Sequence, residues 1–237
     1  MSGPLPENPI LLALDVESAE RAVRLAKAVA PHVGGFKVGL ELLMGPGPAT
    51  VAALGALGKP VFADAKLHDI PTTVGRAAYQ LGRLGTRWVS VHGAGGRAML
   101  EAGEEGLAEG AGGRPAGLLA ITVLTSLSAS HLADAGLPSP GKLTARLARL
   151  AGEAGCEGVV CSPRELRVVA DVAPGLRRVT PGIRPAGTNA DDQARTATPG
   201  EALRHGADLL VVGRAITGAR DPVEAAAELA RTVLADR

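Results

Sequence analysis

The sequence predicts an α/β protein, a single closed (β/α)8 barrel, on three observations. Apolar runs of strand length alternate about eight times with helical stretches, in units of roughly 25–30 residues. No interdomain linker interrupts residues 1–237. Finally, Asp15, Lys37, Asp64, Lys66, His92 and Thr125, together with Pro181 and Gly213, fall at the carboxyl ends of different predicted strands. A doubly wound open sheet would also alternate strand and helix, but so many strand ends converge on one place only if the sheet curls shut. The expectation is one TIM-barrel domain with its site at the carboxyl ends of the strands.

In order, Pro9 to Leu14 reads as a buried strand ending at Asp15, and Ser18 to Ala30 as an amphipathic helix with Arg21, Arg24 and Lys27 outward. Gly35 to Gly39 is a second strand carrying Lys37. Gly45-Pro46-Gly47-Pro48 divides a short helical turn from a full helix after it. Val61 to Lys66 is the third strand, followed by a helix from Pro71 to Leu84. Strand Trp88 to His92 and helix Gly95 to Ala108 come next. Leu118 to Leu124 reads as the longest clean strand. Ser130 to Ala135 and Pro140 to Ala154 read as helices, Gly158 to Cys161 as a strand and Pro163 to Val172 as its helix. A strand at Arg178 to Thr180, a helix at Gly200 to His205, a strand at Asp208 to Val212 and a helix from Pro222 complete the pattern.

The composition, 46% hydrophobic and 21% charged with a formal net charge of +1, is that of an ordinary globular chain. It lacks the basic excess that nonspecific nucleic-acid or anionic-membrane binding needs. Aromatics make up 2%, which argues against base-stacking platforms and assigns the core to Val, Leu, Ile and Ala. Cys156 and Cys161 would span one extended strand, so they read as reduced core residues and point to a cytoplasmic setting. No run approaches the roughly 20 apolar residues of a membrane helix, and the N-terminus has no basic leader.

The most informative stretch is Asp64-Ala65-Lys66-Leu67-His68-Asp69-Ile70-Pro71-Thr72-Thr73. If Val61 to Lys66 is a strand, alternation projects Asp64 and Lys66 side by side from its carboxyl end, with Asp69 in the loop beyond. As exposed pairs these charges would be worth only roughly 0–1 kcal/mol. Asp-x-Lys-x-x-Asp-Ile-Pro-x-Thr, however, resembles the signature of the orotidine 5′-phosphate decarboxylase family. Leu12 to Asp15, Phe36 to Gly39, Thr122 to Ser126, Thr180 to Arg184, Asp192-Gln193 and Val212 to Arg214 resemble its remaining blocks in the same order.

The resemblance implies decarboxylation of orotidine 5′-phosphate to UMP without metal or cofactor, in a homodimer. Lys66 matches the catalytic lysine, Asp64 the carboxylate beside the scissile group, and Asp69 an aspartate contributed by a neighbouring subunit. Asp15 and Lys37 match residues that bind ribose hydroxyls and complete a Lys-Asp-Lys-Asp network, and Thr125 matches a hydroxyl at the pyrimidine amide edge. Substrate contacts are also implied for Ile70, Thr73, Pro181, Arg184, Gln193, Gly213 and Arg214. Read from the residues themselves, Asp15 serves equally well as a helix N-cap, and Thr122 competes with Thr125. Lys37 inside an apolar strand needs a carboxylate or ligand partner. Gly213-Arg214 opens a turn that suits a phosphate. Arg184 to Thr198 reads as a lid, and His92 as a satisfied core histidine. The alternative is a metal-dependent relative acting on a sugar phosphate through an enediolate. The histidines show no metal-ligand spacing.

Overall fold

The structure, a computed structural model, describes residues 3–184 and 196–235. Its eight parallel strands are β1 (Ile10–Ala13), β2 (Gly35–Val38), β3 (Val61–Leu67), β4 (Trp88–His92), β5 (Gly117–Ile121), β6 (Gly158–Val160), β7 (Arg177–Thr180) and β8 (Leu209–Val212). They pair in sequence order and close through β1 on β8, giving a (β/α)8 TIM barrel. The main helices around it are α1 (Ala19–Val29), α2 (Leu40–Met44), α3 (Ala49–Gly55), α4 (Pro71–Arg83), α5 (Arg97–Ala111), α6 (Ala129–Asp134), α7 (Pro140–Glu153), α8 (Leu166–Val172), α9 (Pro199–Arg204), α10 (Arg214–Thr217) and α11 (Pro222–Ala235).

Strand alternation sorts the apolar residues into two cores. Leu11, Ala13, Phe62, Trp88, Leu119, Val179, Leu209 and Val211 fill the barrel interior. Their neighbours in sequence, among them Leu12, Ala63, Val89, Leu118 and Leu210, belong to the larger core shared with the helices. The inward positions are apolar near the strand starts and polar near their ends: Phe62 then Asp64 on β3, Trp88 then Ser90 and His92 on β4. That gradient places the charges at the mouth.

Helices α4 and α5 approach until their backbones touch. A Cβ at Gly106 would stand 2.1 Å from the Gly75 carbonyl oxygen, and one at Gly110 would stand 2.1 Å from that of Tyr79. Only glycine fits there.

Several boundaries differ from those the sequence predicts. β5 stops at Ile121 because its partner β6 ends at Val160, and Val123 and Leu124 lie beyond the end of the strand. The longest strand is instead β3, with seven residues. The full helix expected after Pro48 is a seven-residue helix, followed by the left-handed Gly58. α5 starts at Arg97 because Gly96, at φ +87°, cannot be helical. Pro163–Glu165 forms a separate 3-10 turn before α8.

Candidate active site

Four charged side chains cross the mouth of the barrel in a chain of alternating sign. Lys37 Nζ donates to Asp15 Oδ1 at 3.1 Å and lies 3.5 Å from Asp64 Oδ2. The same Asp64 oxygen accepts from Lys66 Nζ at 2.6 Å. Asp15 therefore faces Lys37, and the α1 N-cap is Ser18, whose side chain accepts from the Arg21 amide. Gly39 makes room for the pair, since a Cβ there would sit 3.0 Å from both Asp15 Oδ1 and Lys37 Nζ.

Simple alternation does not account for the meeting of Asp64 with Lys66. Ala63 pairs with Val89 but Leu67 with Val91, so β3 carries two more residues than the facing stretch of β4. Within this bulge Lys66 adopts φ +51°, the sole positive φ among described non-glycine residues. A left-handed lysine costs about 1–2 kcal/mol, and bulges commonly re-aim a side chain beside an active site. Ser90, which the sequence reading passed over, ties the bulge down. Its hydroxyl accepts from the Lys66 amide at 2.9 Å and donates to Asp64 Oδ1 at 2.8 Å. The available signal was a polar residue at an inward position of an apolar strand.

Burial alone would raise the Asp64 pKa, but the ammonium groups of Lys37 and Lys66 and the Ser90 hydroxyl outweigh it and hold the carboxyl below its ordinary value. The site thus contains a fixed carboxylate between two cations. Lys66, with its side chain 32% exposed, is the more accessible cation, and the Lys37 side chain is 10% exposed.

These groups open into a cavity of about 430 Å³, a size suited to a small ligand. It is lined by Asp15, Lys37, Asp64 and Lys66 on one side and by Thr125, Pro181, Arg184, Gly213 and Arg214 on others, with Phe62, Ile121, Val160 and Val211 as an apolar floor. Two arginines therefore line the same cavity as Lys66. Arg184 is buried, its Nη1 donating to the Ile183 carbonyl at 3.0 Å, and so is no surface cation. Thr122 and Thr125 are distinguished as well: Thr122 Oγ1 donates to the Val160 carbonyl at 3.0 Å, whereas Thr125 lines the cavity.

Asp69, Ile70 and Thr73 do not line it. All three are exposed beyond β3 and at the start of α4, where Asp69 Oδ1 accepts from the Ile70 amide at 2.6 Å. Gln193 lies outside the described residues, as does the lid stretch except for its ends, which are joined where the Arg184 amide donates to the Ala197 carbonyl at 3.0 Å. His92 is half-buried and packs against His68 with ring centroids 5.3 Å apart. Burial, then His68 and Lys66, lower its pKa against the opposing pull of Asp64. No cluster of metal-ligating side chains occurs among the described residues.

A sequence model of the orotidine 5′-phosphate decarboxylase / HUMPS family matches residues 8–229. The chain belongs to this family. Among its decarboxylase relatives, a protein of Anaeromyxobacter sp. (strain K) called orotidine 5′-phosphate decarboxylase is 49% identical, over 95% of this chain and 98% of its own. One of the same name from Thermobifida fusca is 49% identical, over 94% of each chain. The crystal structure of orotidine 5′-phosphate decarboxylase from Lactobacillus acidophilus superposes with a TM-score of 0.84 at 34% identity, covering 96% of this chain and 99% of that one. The family match spans the whole Asp15-Lys37-Asp64-Lys66 chain and both cavity arginines.

Proposed function

We propose that the chain decarboxylates orotidine 5′-phosphate to UMP in pyrimidine synthesis, with Lys66 as the catalytic residue. The observation that carries this reading is the Lys66 ammonium, held 2.6 Å from a buried carboxylate at a cavity that two arginines also line. Arg184 and Arg214, with the backbone at Gly213, are suited to the phosphate; Asp15 and Lys37 to the ribose hydroxyls; Thr125 and Pro181 to the pyrimidine.

The C6–carboxylate bond breaks heterolytically, CO2 leaves, and the electron pair stays on C6 in the ring plane, where the π system cannot spread it. Charge developing there must be met electrostatically, and a preoriented ammonium does so without reorganising water. Lys66 then gives its proton to C6 and regains one from solvent. Repulsion between Asp64 and the substrate carboxylate is the smaller contribution, because Lys37, Lys66 and Ser90 already neutralise much of the Asp64 charge. Phosphate binding at a distance orients the ring, so remote affinity lowers the chemical barrier.

The same proposal includes a homodimer in which Asp69, Ile70 and Thr73 complete the partner's site. All three are exposed outside their own cavity, and Ile70 (67% exposed) and Met44 (76%) leave apolar surface on the connections that follow β3 and β2. Residues 1–237 act as one barrel domain in the cytoplasm, a reading supported by the unpaired, buried Cys156 and Cys161. No described helix is long and apolar enough to cross a membrane.

Chelator-treated protein incubated with orotidine 5′-phosphate is expected to consume its ultraviolet absorbance. Turnover abolished by EDTA would favour the metal-dependent sugar-phosphate reaction instead. Mixing inactive Lys66→Ala and Asp69→Ala variants is expected to restore part of the activity; unrestored activity would reject the shared site.

A further inference from the structure

Where β3 bulges away from β4, the Lys66 amide has left the regular ladder, and a buried amide without an acceptor is costly. Ser90 stands in for the missing strand partner. It is fully buried, points inward between Trp88 and His92, and does not line the cavity. Its hydroxyl has one hydrogen to donate, and that hydrogen goes to Asp64 Oδ1 while the oxygen accepts from Lys66 N–H. With Oδ1 engaged, Oδ2 is the oxygen presented to both lysine ammonium groups.

We propose that Ser90 is a positioning residue for the Lys66 ammonium: one hydroxyl fixes the left-handed backbone at Lys66 and the carboxylate against which its side chain is aimed. The proposal rests on the decarboxylase reading for its kinetic consequence and on geometry alone for its structural one. Ser90 touches neither the cavity nor a reacting atom, so it acts through Asp64 and Lys66.

Two matched pairs separate this role from simple core filling. Ser90→Ala removes the hydroxyl with little change of volume. Ser90→Thr and Ser90→Val share a shape and differ in the hydroxyl alone, so any packing cost of the added methyl cancels between them. Ser90→Ala is expected to lower kcat by roughly 10- to 100-fold, the range for groups that orient active-site residues, with KM for orotidine 5′-phosphate changed by less than about twofold. Ser90→Thr is expected to exceed Ser90→Val in kcat by a similar factor. Independently of activity, carbon-13 NMR of aspartate-labelled protein is expected to show the Asp64 carboxyl titrating at higher pH in Ser90→Ala, and Lys66 amide exchange is expected to accelerate by roughly tenfold or more.

Wild-type kcat in Ser90→Ala, or equal kcat in the Thr and Val variants, would overturn the proposal. So would an unmoved Asp64 titration with an unmoved Lys66 amide. If the wild type itself fails to decarboxylate orotidine 5′-phosphate, the decarboxylase reading falls, and the Asp64 and Lys66 signals alone decide whether Ser90 positions the bulge.

Discussion

At the base of the barrel, Arg87 donates to both oxygens of Glu157, at 2.6 and 2.7 Å, and to the Gly3 carbonyl at 3.2 Å. Its guanidinium lies 4.6 Å from the centre of the Trp88 ring, whose indole N–H goes to the same carboxylate at 3.0 Å. Glu157 reaches Arg87 across β5 because Gly117 leaves the way clear; a Cβ there would fall 2.4 Å from Glu157 Oε2. At the mouth, Lys66 has a strained backbone, a partly exposed side chain and one carboxylate partner. Both networks lean on β4, one through Arg87 and Trp88, the other through Ser90. The base pairs its buried charges with each other, whereas the mouth keeps a partly exposed cation with donors to spare, as expected when barrel starts serve stability and barrel ends serve chemistry.

The sharpest way to break this contrast is to delete one charge from each pole. Lys66→Ala is expected to reduce kcat by roughly a thousandfold or more, while nucleotide binding by calorimetry and the thermal midpoint stay close to wild type. Turnover within tenfold of wild type would remove Lys66 from the chemistry. Glu157→Ala should do the reverse: stranding a buried guanidinium costs about 3–5 kcal/mol, read as a lower urea midpoint, while the folded fraction keeps wild-type kcat. A destabilisation below about 1 kcal/mol would mean the base network is no anchor.

The contrast also has a pH signature. Burial, reinforced by the nearby Glu157 charge, raises the Glu104 carboxyl to about 7 against the pull of hydrogen bonds from the Leu118 and Glu157 backbone amides. Between its ordinary value of 4.5 and about 7 the folded chain keeps a proton that the unfolded chain has released. Stability should therefore fall as pH rises through that window and level off above it, by roughly 1–3 kcal/mol. Glu104→Gln should flatten this slope in urea titrations at pH 5 and 8; an unchanged slope would assign it to another group. The smallest effect concerns strain: Lys66→Gly should be about 1 kcal/mol more stable than Lys66→Ala, because glycine accepts φ +51° freely. Equal stability would show that the bulge relaxes at no cost.

Much of this architecture was legible in the residues. Alternation in β1 and β2 places Asp15 and Lys37 on the inward face, and the break at Gly45–Pro48 separates α2 from α3. Asp64 and Lys66 were readable as neighbours, but the reason was hidden: a bulge depends on how β4 pairs, which a period-two pattern on β3 cannot report. Ser90 left a faint trace as a lone hydroxyl among apolar residues. Glu157 and Arg87 left none, being 70 positions apart and joined through the gap at Gly117. The end of β5 was misread because ladder length is set by the short partner β6, whatever the β-propensity of Val123 and Leu124.

The glycine contacts between α4 and α5 bear on the segment that leaves the barrel at Asp69. α4 begins at Pro71, so the exposed Asp69 and Ile70 are cantilevered from a beam bolted to its neighbour main chain to main chain at Gly106 and Gly110. Whatever meets those two residues meets a stiff bracket. A single methyl group grafted at Gly106 would pry the beam outward and be felt at its far tip.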